Sequence, residues 1–219
     1  MGARGLAQME LPSQLQECNN EVPVMPTSIK GAPLLNCMAV VREVAGVKRY
    51  DELLSGCPIE TQHLLRRTLM AIEWVSLDAW SPFLQAIFER LANRDENQFK
   101  RLLRVICQRD FQTIYRPYVL NAKPTTVLGK MQSIWSAYFD SGSLSAGPLT
   151  VSGSQHELTI QMRDLETSSS VMFMVVHAYL EQVLAMVGAK DFQVVRNKEA
   201  RSGMGRLSCE FHVRFREDT

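Results

Sequence analysis

Residues 168–188, SSSVMFMVVHAYLEQVLAMVG, are apolar around nearly the whole circumference of any helix they form. Ser168, Ser169 and Ser170 offer N-cap oxygens at the start, and Gly188 supplies the left-handed residue that commonly closes a helix. A helix without a wet face has to be buried on most sides. This one is shorter than the roughly 20 apolar residues a membrane span needs, and His177, Glu181 and Gln182 interrupt it. Protein rather than lipid is therefore expected to cover it.

The flanking segments show what covers it. On the C-terminal side Leu207, Cys209, Phe211, Val213 and Phe215 alternate with Ser208, Glu210, His212, Arg214 and Arg216. A strict period of two over this length gives a strand with one buried and one wet face, as in an antiparallel sheet. Phe192, Val194 and Val195 predict a short strand before it, joined by a loop over 197–206 that contains Gly203 and Gly205. On the N-terminal side Leu149 and Val151, a Gly153-Ser154 turn, then Leu158, Ile160 and Met162 read as a hairpin. The expected unit is β-β-α-β-β, an α+β layer with the helices on one face of the sheet.

Residues 1–28 carry Pro12, Pro23 and Pro26 without a sustained period and read as a tail. The rest, 29–219, reads as a single domain with a helical part over 29–140 and a sheet part over 141–219. Helical spacing recurs in Leu34/Met38/Val41, Leu64/Leu65/Leu69, Phe83/Leu84/Ile87, Phe99/Leu102/Leu103/Ile106 and Val127/Met131/Ile134/Trp135, which predicts five or six helices.

Net charge is +1, which gives no global attraction to nucleic acid or an anionic membrane. The five cysteines are scattered, with no CxxC and no Cys/His cluster, so neither a disulfide framework nor a zinc site is supported. Without a charged-then-apolar leader they are expected to be reduced and the protein cytoplasmic. No Gly-x-Ser-x-Gly, P-loop, His-Glu-x-x-His or dinucleotide fingerprint occurs, and the chain reads as non-enzymatic.

Three groups of polar residues are candidate sites. His177 and Glu181, four apart on the central helix with Met174 beside them, form either the polar point of an apolar ligand pocket or a seam bonded to a neighbouring element. Lys198, Arg201 and Arg206 make an anion- or partner-binding loop with the glycines, or a solvated strand connection. Lys100, Arg101 and Arg104 make a basic partner face or an ordinary solvated stripe.

The order of VVHAYLEQVLAMVGAKDFQVV, a loop, and LSCEFHVRF resembles the haem-NO-binding, V4R and TRAPP (Bet3-like) group. From Ile29 to Phe215 the chain also resembles a myxobacterial paralogous family, on Ile29-Lys30-Gly31, Trp74, Trp80 and the C-terminal unit. The resemblance implies a helical layer on an antiparallel sheet, in a group that binds small hydrophobic or cofactor ligands or acts as dimerising adaptors. Haem-binding members carry a proximal His and a Tyr-x-Ser-x-Arg signature that this chain lacks, so no cofactor is expected. The leading expectation is a signalling adaptor acting through a protein partner, or through itself as a homodimer. The alternative is a sensor for a small apolar ligand held beside the central helix.

Overall fold

The computed structural model describes residues 27–113, 115–201 and 206–217. The expected tail falls outside these except for Thr27 and Ser28, which already belong to the folded part: Thr27 is buried and Ser28 opens the first strand.

The chain begins with β1 (Ser28–Lys30), α1 (Gly31–Ala45), α2 (Val47–Ser55), α3 (Ile59–Arg66), β2 (Trp74–Ser76) and α4 (Leu77–Ala86). A π-helical stretch, Ile87–Leu91, leads to α5 (Glu96–Gln112), α6 (Arg116–Val119), α7 (Pro124–Gly129) and α8 (Met131–Tyr138). The C-terminal part is β3 (Ser143–Ala146), β4 (Thr150–Ser152), β5 (Gln155–Glu166), α9 (Val171–Met186), β6 (Lys190–Arg201) and β7 (Arg206–Arg216). The fold is α+β. Its sheet is antiparallel in the order β3-β5-β7-β6, with β4 also pairing β5.

The strands depart from the reading of the sequence in several places. Three strands rather than two precede α9, because Ser143–Ala146 pairs with β5 through Leu144 opposite Met162. The segment around Val151 forms the exposed strand β4. Pairing of β1 with β2 adds a small second sheet, since three-residue strands leave no periodic trace. β6 runs on to Arg201, so Lys198 and Arg201 stand on a strand paired with β7 rather than on a loop.

The N-terminus of α9 lacks the side-chain cap expected from its serines. The Ser170 side chain makes no capping hydrogen bond. Asp78, in the first turn of α4, instead accepts from Ser168 N at 2.9 Å and from Thr167 Oγ1 at 2.7 Å, which ties the entry of α9 to α4. The β5 alternation of Leu158, Ile160 and Met162 slips by one residue to Leu165 at a bulge, where Asp164 sits at φ 55°. A short polar residue tolerates that left-handed geometry, and the slip keeps all four apolar side chains inward.

These elements bury α9 on both sides. The inner face of the sheet, with Phe211, Val213 and Phe215 fully buried, covers one side, while α4 and α5 cover the other. Among the described residues no helix is long and apolar enough to cross a membrane.

Candidate functional site

Where α9, α8, α4 and the end of α5 converge, the packing leaves a cavity of about 60 Å³. From α9 it is lined by Met172, Val175, Val176, Tyr179 and Leu180, and from the helical layer by Trp80, Phe111, Met131, Ile134, Trp135 and Tyr138. Ile29, Pro33, Phe139 and Leu144 complete the wall. At 3.6 residues per turn these α9 positions share one stripe, and His177 and Glu181 fall on the opposite stripe. The pocket is therefore lined neither by His177 and Glu181 nor by Met174, which is half-buried elsewhere on the helix.

The polar end of the cavity wall comes from a group that reading the sequence missed. Asp110 lies on the inward stripe of α5, after Phe99, Leu102, Leu103, Ile106 and Cys107, and is fully buried. Its Oδ2 accepts from Tyr179 Oη at 2.7 Å and from Tyr138 Oη at 3.4 Å, and its Oδ1 accepts from Asn36 Nδ2 at 2.6 Å. Both cavity-lining tyrosines thus spend their hydroxyl protons on one carboxylate. The signal was available: an aspartate on an otherwise apolar helical stripe has to be paired, because burying it alone is costly.

Burial pushes the Asp110 carboxyl up to about 6, against the three hydrogen bonds that favour its charge. Between the ordinary value of 3.8 and about 6, the folded chain holds a proton that the unfolded chain has lost. Stability therefore falls as pH rises through this window, by at most about 1.4 kcal/mol per pH unit for the one group. Glu181 acts in the opposite sense. Burial opposes its charge, but the contacts from His177, Arg104 and Lys100 outweigh that and bring it to about 2. The unfolded chain is then the more protonated between about 2 and the ordinary 4.5, and stability rises with pH there. Urea unfolding from pH 3 to pH 7 should show a maximum near pH 4 to 5, and Asp110→Asn should remove the decline on its alkaline side.

Two of the predicted groups meet. Glu181 pairs with Arg104 and, at 3.4 Å, with Lys100, and His177 Nε2 lies 3.3 Å from its Oε1. The Lys100 and Glu181 side chains are 12% and 13% exposed, so this is an internal junction between α5 and α9. At the expected basic partner face, Lys100 and Arg104 both pair with Glu181, with Lys100 largely buried and Arg104 partly exposed, and Arg101 is exposed. His177 Nε2 is also 3.0 Å from Val194 O, which fastens α9 to β6. A carbonyl accepts and never donates, so Nε2 carries the proton.

The expected anion loop is not gathered. Lys198 pairs with Glu210 at 3.4 Å, Arg206 with Glu166 at 2.9 Å, and Arg201 donates to Ser168 O. Each cation has a partner within the sheet or at the α9 entry, and residues 202–205 lie outside the described residues. Cys37, Cys57, Cys107 and Cys209 are buried and unpaired. Among the described residues no three His, Cys, Asp or Glu side chains are placed to hold a metal.

No protein-family model and no curated protein matches the chain. Solved structures do match. The chain is similar to an oxygen-binding H-NOX domain related to soluble guanylate cyclases, in its oxygen complex, with TM-score 0.58 and 13% identity over 87% of this chain and 95% of that one. A structure probing haem distortion in the H-NOX family gives TM-score 0.59 and 13% identity over 87% and 95% of the two chains. A mutant H-NOX of T. Tengcongensis gives 0.56 and 12% over 87% and 98%. At such identity the likeness shows the fold. It reaches the haem-NO-binding part of the expected group, and these comparisons bring nothing for V4R, TRAPP or a myxobacterial family.

That fold raises the question of haem, and the residues of this cavity do not fit it. Small-molecule and cofactor sites occupy roughly 300–1,000 Å³, several times the 60 Å³ between α9 and the helical layer. Among the described residues no histidine, cysteine, lysine or arginine lines the wall, so these offer neither a nitrogen or thiolate axial ligand nor a cation for the propionates. A tyrosinate ligand is disfavoured, because burial and the Asp110 carboxylate push Tyr138 and Tyr179 well above the ordinary phenol range.

Proposed function

We propose that this chain is a haem-independent, non-catalytic sensor domain that takes a small apolar ligand into the cavity beneath α9. The observation that supports it best is the cavity itself, bounded by α4, α5, α8, α9 and Pro33 of α1 and walled almost entirely by aromatic, aliphatic and thioether side chains. Met131 and Met172 lie in that wall, and unbranched thioethers repack at little cost, which lets the space grow toward a larger guest. The same helix that forms one wall is fastened by its other stripe to β6 through His177 and to α5 through Glu181. A guest that displaces α9 then has a physical route to the sheet edge. The sensor reading has more behind it than the adaptor or homodimer reading, whose support is the resemblance and the expectation of an apolar face for a partner to cover. A cytoplasmic setting, argued from the scattered cysteines of the sequence, belongs to the proposal.

The test is methyl NMR in propane-saturated buffer. The Val176, Leu180 and Met172 methyl resonances should shift saturably while surface methyls stay still, and Val176→Phe, which fills the space, should abolish the shift. A wild-type spectrum unchanged by propane would end the reading. Titration with hemin should give no saturable Soret band, and a stoichiometric one would return haem to the site.

A further inference from the structure

Among the described residues of the cavity wall, four side chains are able to donate a hydrogen bond, and three are spent. Tyr138 and Tyr179 donate to Asp110, and Trp135 Nε1 donates to Ser141 O at 2.9 Å. The fourth, Trp80, is 3% exposed, and its Nε1–H is buried with no hydrogen-bond partner. Leaving a buried donor unmade carries the full desolvation penalty of the group, and native folds rarely tolerate it without a reason.

Trp80 is held in place by its own helix. Ser76 caps α4 through a bond from Ala79 N, and Asp78 locks the same turn to the Thr167–Ser168 link. The ring is therefore positioned by a rigid element rather than by a loop.

We propose that the ligand of this cavity carries one hydrogen-bond acceptor, a carbonyl or ether oxygen on a small apolar body, and that this acceptor takes Trp80 Nε1–H. The inference rests on the sensor reading above and narrows it to a chemical class. Pure hydrocarbons fill the space but leave the donor orphaned. Charged ligands are disfavoured, because the described residues of the wall hold no counter-charge.

The experiment compares acetone with isobutene, which differ at one position, C=O against C=CH₂. Binding of each to the wild-type chain and to Trp80→Phe is followed by methyl NMR. The substitution should weaken acetone about tenfold, the ratio that corresponds to 1.4 kcal/mol, and leave isobutene nearly unchanged. In the wild type the Trp80 indole N–H resonance, one of three in the chain, should move downfield with acetone and stay in place with isobutene. That wild-type measurement stands even if Trp80→Phe fails to fold. Equal weakening of both probes, or an indole resonance indifferent to acetone, overturns the acceptor and leaves the apolar-ligand reading intact. Failure of both probes to bind overturns the two together.

Discussion

Asp110→Ala should destabilise the fold by about 3 kcal/mol. The substitution removes the acceptor for three donors at once, the Asn36 amide and the Tyr138 and Tyr179 hydroxyls. Each orphaned buried donor costs about 1–3 kcal/mol. The bond from Tyr138, at 3.4 Å, is long and contributes least. Part of the loss is offset, because the carboxylate itself is penalised by burial, as its raised titration range records. The offset grows above pH 6, where Asp110 is ionised in the folded chain. The cost of Asp110→Ala should therefore be larger at pH 5 than at pH 7, and urea unfolding at the two pH values measures both terms. A loss below 1 kcal/mol at pH 5 would mean that the network is bridged by other partners. The change should also reach the cavity, since Tyr138 and Tyr179 are in its wall and lose their anchor.

Glu181→Leu should cost a similar amount, about 3 kcal/mol, for a different reason. The carboxylate is the shared counter-charge of Lys100 and Arg104, and His177 Nε2 lies 3.3 Å from it. Removing one partner of a buried ion pair leaves an uncompensated charge, worth roughly 3–5 kcal/mol when burial is complete. Arg104 is 39% exposed and can turn to water, which holds the expected cost toward the lower bound. Lys100, at 12%, cannot do so as readily. Pairing Glu181→Leu with Lys100→Met should therefore recover part of the loss, and a double-mutant cycle reads the coupling. Additive losses would show that Lys100 and Glu181 do not interact.

The two predictions mark what was legible in the chain. The all-round apolar helix and the strict alternation of β7 carry long, repeated signals, and both elements stand where those signals put them. The antiparallel α+β layer follows from the pair. Short elements leave no such trace, so β1, β2 and β3 were invisible, and the unit gained a strand. The capping serines misled because local chemistry cannot show that Asp78, some 90 positions earlier, takes the Ser168 amide just ahead of the helix.

At the site, residue type was a better guide than grouping. His177, Glu181, Lys100 and Arg104 all matter to the structure, yet as one junction between α5, α9 and β6 rather than as a pocket and a partner face. Pairing across 77 positions has no periodic signature. Trp80 and Asp110 stood in plain view on apolar stripes. Their status as an unpaired donor and a thrice-bonded acceptor depends on neighbours from α1, α8 and α9.

The measurement that bears most directly on the central claim is diffraction from crystals pressurised with xenon. An apolar, monatomic guest reports empty apolar space without asking for hydrogen bonds. The account predicts a xenon site between Trp80, Trp135 and Leu180, reduced or lost in Val176→Phe. Xenon bound elsewhere, with this space closed and unoccupied at every pressure, would contradict it.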